Sequence, residues 1–174
     1  MPSAAELNDA IRDVPNFPKE GILFKDITPV LADPDLFKSS LELLAATANG
    51  EKIDKVVGID ARGFIFAAGV ALILNAGFVP IRKKGKLPWT TNAMAYTLEY
   101  GEDCVEIHAD AVKPGEKILL VDDLLATGGT AAAAIKLLKA LDAEIVSTSF
   151  LIELKDLKGR EKICSPRPEA ILTY

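Results

Sequence analysis

Histidine, cysteine and tryptophan are scarce in this chain: one His, two Cys and one Trp among 174 residues. Cys104 and Cys164 stand in neither a metal-like nor a redox-like spacing, so there is no zinc-type cluster and no disulfide framework to read, and in a reducing compartment both stay thiols. The single His108, in a strand-like stretch, reads as structural or exposed and anchors no catalytic triad. Long apolar runs are missing too. The longest, Phe64 to Leu74, falls short of the roughly 18 residues a membrane span needs and reads as a core helix. The opening "MPSAAE" has no basic region leading into an apolar stretch, so no secretory signal is legible and the expectation is a cytoplasmic protein away from any membrane. Positive charge is not in excess: 20 basic against 25 acidic residues give a net charge of -5, which argues against nucleic acid as a partner. An anionic ligand must therefore be captured locally. No repeat, linker or low-complexity tract is visible.

What is present is a globular composition, 49% hydrophobic and 26% charged, sized for one domain over residues 1–174. Ser3 to Glu6 has capping-box spacing, and Leu7, Ala10, Ile11 and Val14 supply a stripe, so a short helix is predicted to run until Pro15. "NFPKEGILFKDITPVLADP" is too punctuated for a long element and reads as irregular, partly packed chain. Asp33-Pro34 supplies a cap and a first-turn proline for a helix through about Ala48, ended by Asn49-Gly50. Alternation follows: "KVVGID" as strand, Phe64 to Ala76 as helix closed by Gly77, "FVPIRK" as strand, then "AMAYTLEYG" and "DCVEIHAD" as a strand pair at the sheet's side. Lys117 to Val121 reads as strand, Thr130 to Leu141 as helix and "EIVSTSFLIEL" as strand. This is βαβ grammar, implying a mostly parallel sheet flanked by helices, with ligands held beyond the carboxyl ends of its strands.

"VDDLLATGGT" lies at one such end. Ala126-Thr127-Gly128-Gly129-Thr130 offers backbone N–H groups with little side chain around them, two hydroxyls and a helix N-terminus, which together suit a phosphate. It is not a Walker loop, which would close on Gly-Lys-Ser/Thr, so a triphosphate nucleotide is disfavoured. Asp122 and Asp123 are adjacent like charges that raise each other's pKa unless vicinal hydroxyls or a metal compensate. A sugar phosphate satisfies both halves. The competing reading makes Asp122 a turn cap and Asp123 a solvated charge.

The same residues resemble the phosphoribosyl-pyrophosphate (PRPP) signature of the type I phosphoribosyltransferases, and the Leu-Leu form points to the adenine phosphoribosyltransferases among them. "FPKEGILFKDITPVLADP", "GIDARGFIFA", "IRKKGKLP", "YTLEYG" and "LKGREKI" are similar to segments of that family in the same order, over nearly the whole chain. The resemblance implies a Rossmann-like α/β fold with a small N-terminal hood over about residues 1–34 and a flexible loop at about 84–97. It implies adenine and PRPP as substrates, AMP and pyrophosphate as products, Mg2+ travelling with PRPP, no organic cofactor, and a homodimer. Asp60, Ala61 and Arg62, at a strand end opening a helix, become a pyrophosphate seat with a cis peptide at Asp60-Ala61. Arg82, Lys83, Lys84 and Lys86 answer the diphosphate's charge, with Arg82 reaching a neighbouring subunit's site. Glu99 handles the purine proton and Tyr100 closes the site. Main-chain groups of Leu23 and Lys25 read adenine while Phe24 stacks on it. Each assignment has a local rival: Arg62 paired with Asp60, a solvated basic loop, cross-strand packing for Tyr100, and a core role for Ile22 and Phe24. A transferase for 6-oxopurines, or a PRPP-sensing regulator without catalysis, are the alternative functions.

Overall fold

The computed structural model describes residues 3–98, 101–163, 166 and 168–174, with Leu98 described by its backbone alone. Seven strands form one sheet in the order β5-β6-β4-β3-β7-β8-β9, and a two-stranded sheet, β1-β2, stands apart. The strands are β1 (Arg12–Pro15), β2 (Leu23–Asp26), β3 (Lys55–Ile59), β4 (Gly77–Lys83), β5 (Thr91–Leu98), β6 (Gly101–His108), β7 (Lys117–Leu125), β8 (Glu144–Glu153) and β9 (Glu169–Thr173). The helices are α1 (Ala4–Ala10), α2 (Thr28–Ala32), α3 (Pro34–Ala46), α4 (Gly63–Ile73) and α5 (Gly129–Ala140). Pairings β4-β3-β7-β8-β9 are parallel, and β5 and β6 add an antiparallel margin beside β4. The mostly parallel sheet is the one the alternating grammar implies.

Central strands carry unbroken apolar runs because both sheet faces are covered. Val57, Ile59, Ile118 and Leu120 pack with Ala131, Ala134 and Leu138 of α5 on one side. Val56, Leu119 and Val121 pack with Phe66 and Val70 of α4, Leu44 of α3 and Leu7 of α1 on the other. Helix α3 begins as its sequence dictates: Asp33 accepts from the backbone N–H groups of Asp35 and Leu36 at 2.9 and 3.0 Å, with proline in the first turn.

Four boundaries differ from the sequence expectation. Helix α1 has the predicted Ser3–Glu6 capping box but stops at Ala10, because Val14 and Pro15 belong to β1, facing Phe24 and Leu23 across an antiparallel pair. The supposedly irregular segment thus holds β2 and also α2. Helix α4 ends before Gly77, which opens β4, and Asn75 supplies the left-handed turn instead at φ 50°. Strand β7 does not end at Val121 but continues to Leu125, since β8 offers ladder partners as far as Glu153, so Asp122 and Asp123 lie within the strand. Strand β9 and two short 3-10 turns, Lys155–Leu157 and Gly159–Lys162, complete the described chain.

Candidate active site

Strands β3 and β7 are parallel neighbours, so the loops leaving their carboxyl ends meet. A cleft of about 260 Å³ lies between them, lined from the β3 side by Asp60, Ala61 and Arg62 and from the β7 side by Asp122, Asp123 and the run Ala126 to Thr130, with Lys83 of β4 at its edge.

The β3 loop turns at a cis peptide between Asp60 and Ala61, as the family resemblance implies. Arg62 then stands at the N-cap of α4, and its Nε lies 2.8 Å from Asp123 Oδ2. The rival pairing of Arg62 with Asp60 is not what forms. Asp60 instead receives Arg82 at 3.3 Å and Lys86 at 3.7 Å, while a guanidinium N–H of Arg82 donates to the Lys86 carbonyl at 3.2 Å. The basic segment is therefore folded back on the cleft through a carboxylate that is itself nearly buried. Gly63 closes the gap between the two loops: a Cβ there would stand 2.6 Å from Asp122 Oδ1.

Burial raises the Asp122 carboxyl well above the usual range, and the charge of Asp123 pushes it further; the backbone N–H of Asp123, donating to Asp122 Oδ1 at 2.9 Å, opposes both. Asp123 is also raised by burial, with the Arg62 guanidinium as the main opposing influence. The donors present, Arg62 and the Asp123 N–H, do not fully offset burial, and groups that bring further O–H or cationic partners fit the pair.

After Leu125 the chain leaves the sheet and Gly128 takes φ 77°, turning it into α5. Gly128 caps α5 with no side chain, its carbonyl accepting from Ala132 N at 2.9 Å, so the N–H groups of the first helical turn have no intrahelical partner and remain for an anion.

Lys83 donates to the Tyr96 hydroxyl at 2.5 Å and forms a close ion pair with Asp103. Burial pulls the ammonium pKa down, but Asp103 and Tyr96 outweigh it and hold the group above its ordinary value. Tyr96 and Asp103 face one another across β5 and β6, and the Tyr96 ring lies where a Cβ on Gly129 would touch it at 3.4 Å. The basic loop is thus neither free nor merely solvated. Asp103 and Tyr96 were missed from the sequence, since only the strand register brings them to Lys83.

Strand β2 comes near the cleft at Phe24. The Phe24 ring stands 5.7 Å from the Arg62 guanidinium carbon and 5.2 Å, edge-on, from Phe17. Ile22 and Leu23 are 43% and 49% exposed, which removes the core reading for Ile22. Lys25 turns its ammonium to Asp13 at 2.6 Å and over the Tyr174 ring, leaving only its main chain for a ligand. Within the stretch 84–97, residues 91–97 belong to β5, and Trp89 before it is 67% exposed. Glu99 and Tyr100 lie outside the described residues. His108 is absent from the described cleft lining, and its Nε2 is buried without a hydrogen-bond partner.

Comparison with known proteins gives a consistent picture. The family described as phosphoribosyl transferase domain matches residues 30–165. The chain is similar to the adenine phosphoribosyltransferase of Agrobacterium fabrum, 58% identical over 160 residues that span 92% of this chain and 89% of the relative. Its structure is similar to the crystal structure of the adenine phosphoribosyltransferase from Thermoanaerobacter pseudethanolicus, with a TM-score of 0.95 at 47% identity, covering 99% of this chain and 100% of that one. The Saccharomyces cerevisiae adenine phosphoribosyltransferase, crystallised with an imino-altritol bisphosphate and adenine, matches with a TM-score of 0.91 at 43% identity, covering 97% and 98%.

Proposed function

This chain belongs to the adenine phosphoribosyltransferases within the phosphoribosyl transferase family, and from that membership we propose how its cleft moves a phosphoribosyl group from PRPP to adenine, giving AMP and pyrophosphate. As the bond from C1 to pyrophosphate breaks, C1 turns cationic and the leaving group gathers charge. The site must hold the ribose, neutralise the diphosphate and exclude water.

The ribose 5-phosphate binds the amides of Ala126 to Thr130 with the hydroxyls of Thr127 and Thr130. The ribose hydroxyls donate to Asp122 and Asp123, adding to the partners that only partly offset the burial of these carboxyls. The diphosphate takes the Asp60–Ala61–Arg62 turn, with Arg62, Lys83 and Lys86 as its counter-charges and Arg82, which pairs with Asp60 of its own chain, serving this cleft rather than a neighbour's. Binding is therefore an exchange: phosphate oxygens replace carboxylates around the cations while hydroxyls replace cations around the carboxylates. Mg2+ enters with the diphosphate and counts as part of that substrate.

Adenine lies against Phe24, held by main-chain groups of Leu23 and Lys25. A carbonyl facing its 6-amino group would leave the 6-oxo group of hypoxanthine opposite an acceptor, which disfavours 6-oxopurines. Glu99 handles the proton released from N9, and Tyr100 closes the site. Holding two substrates together provides on the order of 7 to 11 kcal/mol of the barrier reduction. A second copy of this chain is the proposed partner, supported by an exposed apolar face on α4 and β4: Leu72 is 85% exposed, and Ile65, Ile73 and Phe78 are also open. The proposed compartment is the cytoplasm; among the described residues no helix is long and apolar enough to cross a membrane.

The observation that carries the assignment is the meeting of two donor-rich loops around a buried acidic pair in one cleft. Incubating the protein with magnesium, PRPP and each purine in turn tests it. AMP from adenine, with far slower use of hypoxanthine and guanine, is the expected result; equal use of 6-oxopurines overturns the base assignment.

A further inference from the structure

"LKGREKI" has so far no task in the site. We infer that this segment, behind the phosphate loop, is the loop's positioning element, with Gly159 setting where the loop's amides stand. The inference rests on reading residues 126 to 130 as the seat of the ribose 5-phosphate.

The loop and the segment meet backbone to backbone. A Cβ on Gly128 would stand 2.3 Å from the Gly159 carbonyl oxygen, and a Cβ on Gly159 would stand 2.1 Å from the Ala126 carbonyl oxygen and 2.9 Å from Gly128 N. No side chain fits between them on either side. Gly128 also needs its positive φ, but Gly159 is not among the residues of left-handed conformation, so close approach alone demands glycine there.

Gly159 is in turn held rigidly. Arg160 grips Glu153 with two guanidinium nitrogens, Nε at 2.9 Å from Oε1, and donates a third hydrogen bond to the Pro168 carbonyl. Such bidentate pairs fix orientation as well as charge. Glu153 is buried at the end of β8, opposite Leu125 of β7, the residue just before the loop. Leu154 N donates to the Leu125 carbonyl at 2.9 Å. On the far side Ile163 is buried in the core that includes α5. The loop is thus held at its stem by Leu154 and at its crown by Gly159, while neither Gly159 nor Arg160 lines the cleft. They act on the ligand through the loop.

Gly159→Ala is the direct test. With backbone on both sides, the new methyl can be accommodated only if the loop retreats by about 1 Å, a displacement that can lower activity about 100-fold. Two probes separate the subsites: ribose 5-phosphate, which engages the loop, and pyrophosphate, which engages the Asp60–Arg62 turn. Gly159→Ala is expected to raise the PRPP KM and the ribose 5-phosphate Ki about 100-fold, leaving the pyrophosphate Ki and the adenine KM as in the parent. Melting should shift by no more than about 3 °C. Arg160→Gln, which stays polar but is shorter and loses both the charge and the bidentate grip, should move the same two constants in the same direction by about tenfold, and Arg160→Lys by less. A folded Gly159→Ala with unchanged ribose 5-phosphate inhibition overturns the inference, as does equal loss for both probes. If Gly159→Ala does not fold, unchanged constants in Arg160→Gln overturn it. Failure of ribose 5-phosphate to compete with PRPP in the parent enzyme would instead reject the underlying assignment of the loop.

Discussion

Asp122 and Asp123 sit side by side where burial opposes the ionisation of both and the charge of Asp123 further opposes that of Asp122, an arrangement that folding alone does not favour. A carboxyl whose pKa is raised in the folded state gives its full stabilisation below the unfolded value, near pH 4, and loses it as pH rises through the folded value. Asp122→Asn is accordingly expected to raise the melting temperature at pH 7 to 8, with the gain shrinking toward pH 4, while kcat/KM for PRPP falls about 10- to 100-fold through loss of charge-assisted hydrogen bonds. Thermal scans across pH beside steady-state kinetics check both halves; a lower melting temperature at neutral pH would contradict the buried-acid account. Arg62 serves three neighbours, Asp123, the Phe24 ring and the cleft, so Arg62→Lys keeps the charge but loses the planar fork. A PRPP KM about tenfold higher, without recovery at higher pH, is the expected result. Both acids and the arginine were legible in the sequence because two like charges beside a glycine loop have few reasons to exist. Their pairing was not, since the sequence offers Asp60, beside Arg62 in the same loop, as its partner, and only the meeting of two loops brings Asp123 to it.

At the scale of the element, legibility follows how local the cause is. The Ser3–Glu6 capping box, the Asp33 cap with Pro34, and the unbroken apolar runs of β3 and β7 act within a few residues and were readable. Strands β1 and β2 were not, because Pro15, Pro18 and Gly21 mask a hairpin whose only warrant is the cross-strand register. The continuation of β7 past Val121 depends on β8 lying alongside, and β9 is a five-residue edge strand behind prolines. The β5–β6 hairpin adds an interaction of the same non-local kind. Lys83 reaches from β4 to Tyr96 and Asp103, joining three strands at the cleft. Lys83→Met keeps the stem but strands the hydroxyl and carboxylate without their cation; the PRPP KM should rise about tenfold with adenine KM unmoved. Initial-rate kinetics with each substrate varied distinguish this from a general loss of activity.

Across the whole molecule, β3 sends the chain through α4 to β4 on one side, and β7 sends it through α5 to β8 on the other. The cleft sits where those two directions part, the point at which such sheets open a crevice. That much followed from the alternating pattern. The second copy proposed to cover α4 gives a test at the same scale: Leu72→Glu places a charge at the centre of the exposed apolar face and is expected to halve the solution mass measured by light scattering. An unchanged mass would move the contact elsewhere. Arg62, Arg82, Lys83 and Lys86 are partnered within the chain by Asp123, Asp60 and Asp103. A simple anion such as chloride or sulfate must displace an intramolecular rival and offers the released carboxylates nothing in return. On the proposed assignment, a molecule carrying both a diphosphate and free hydroxyls satisfies the two sets together, and abundant cellular salts are expected to compete poorly for the cleft.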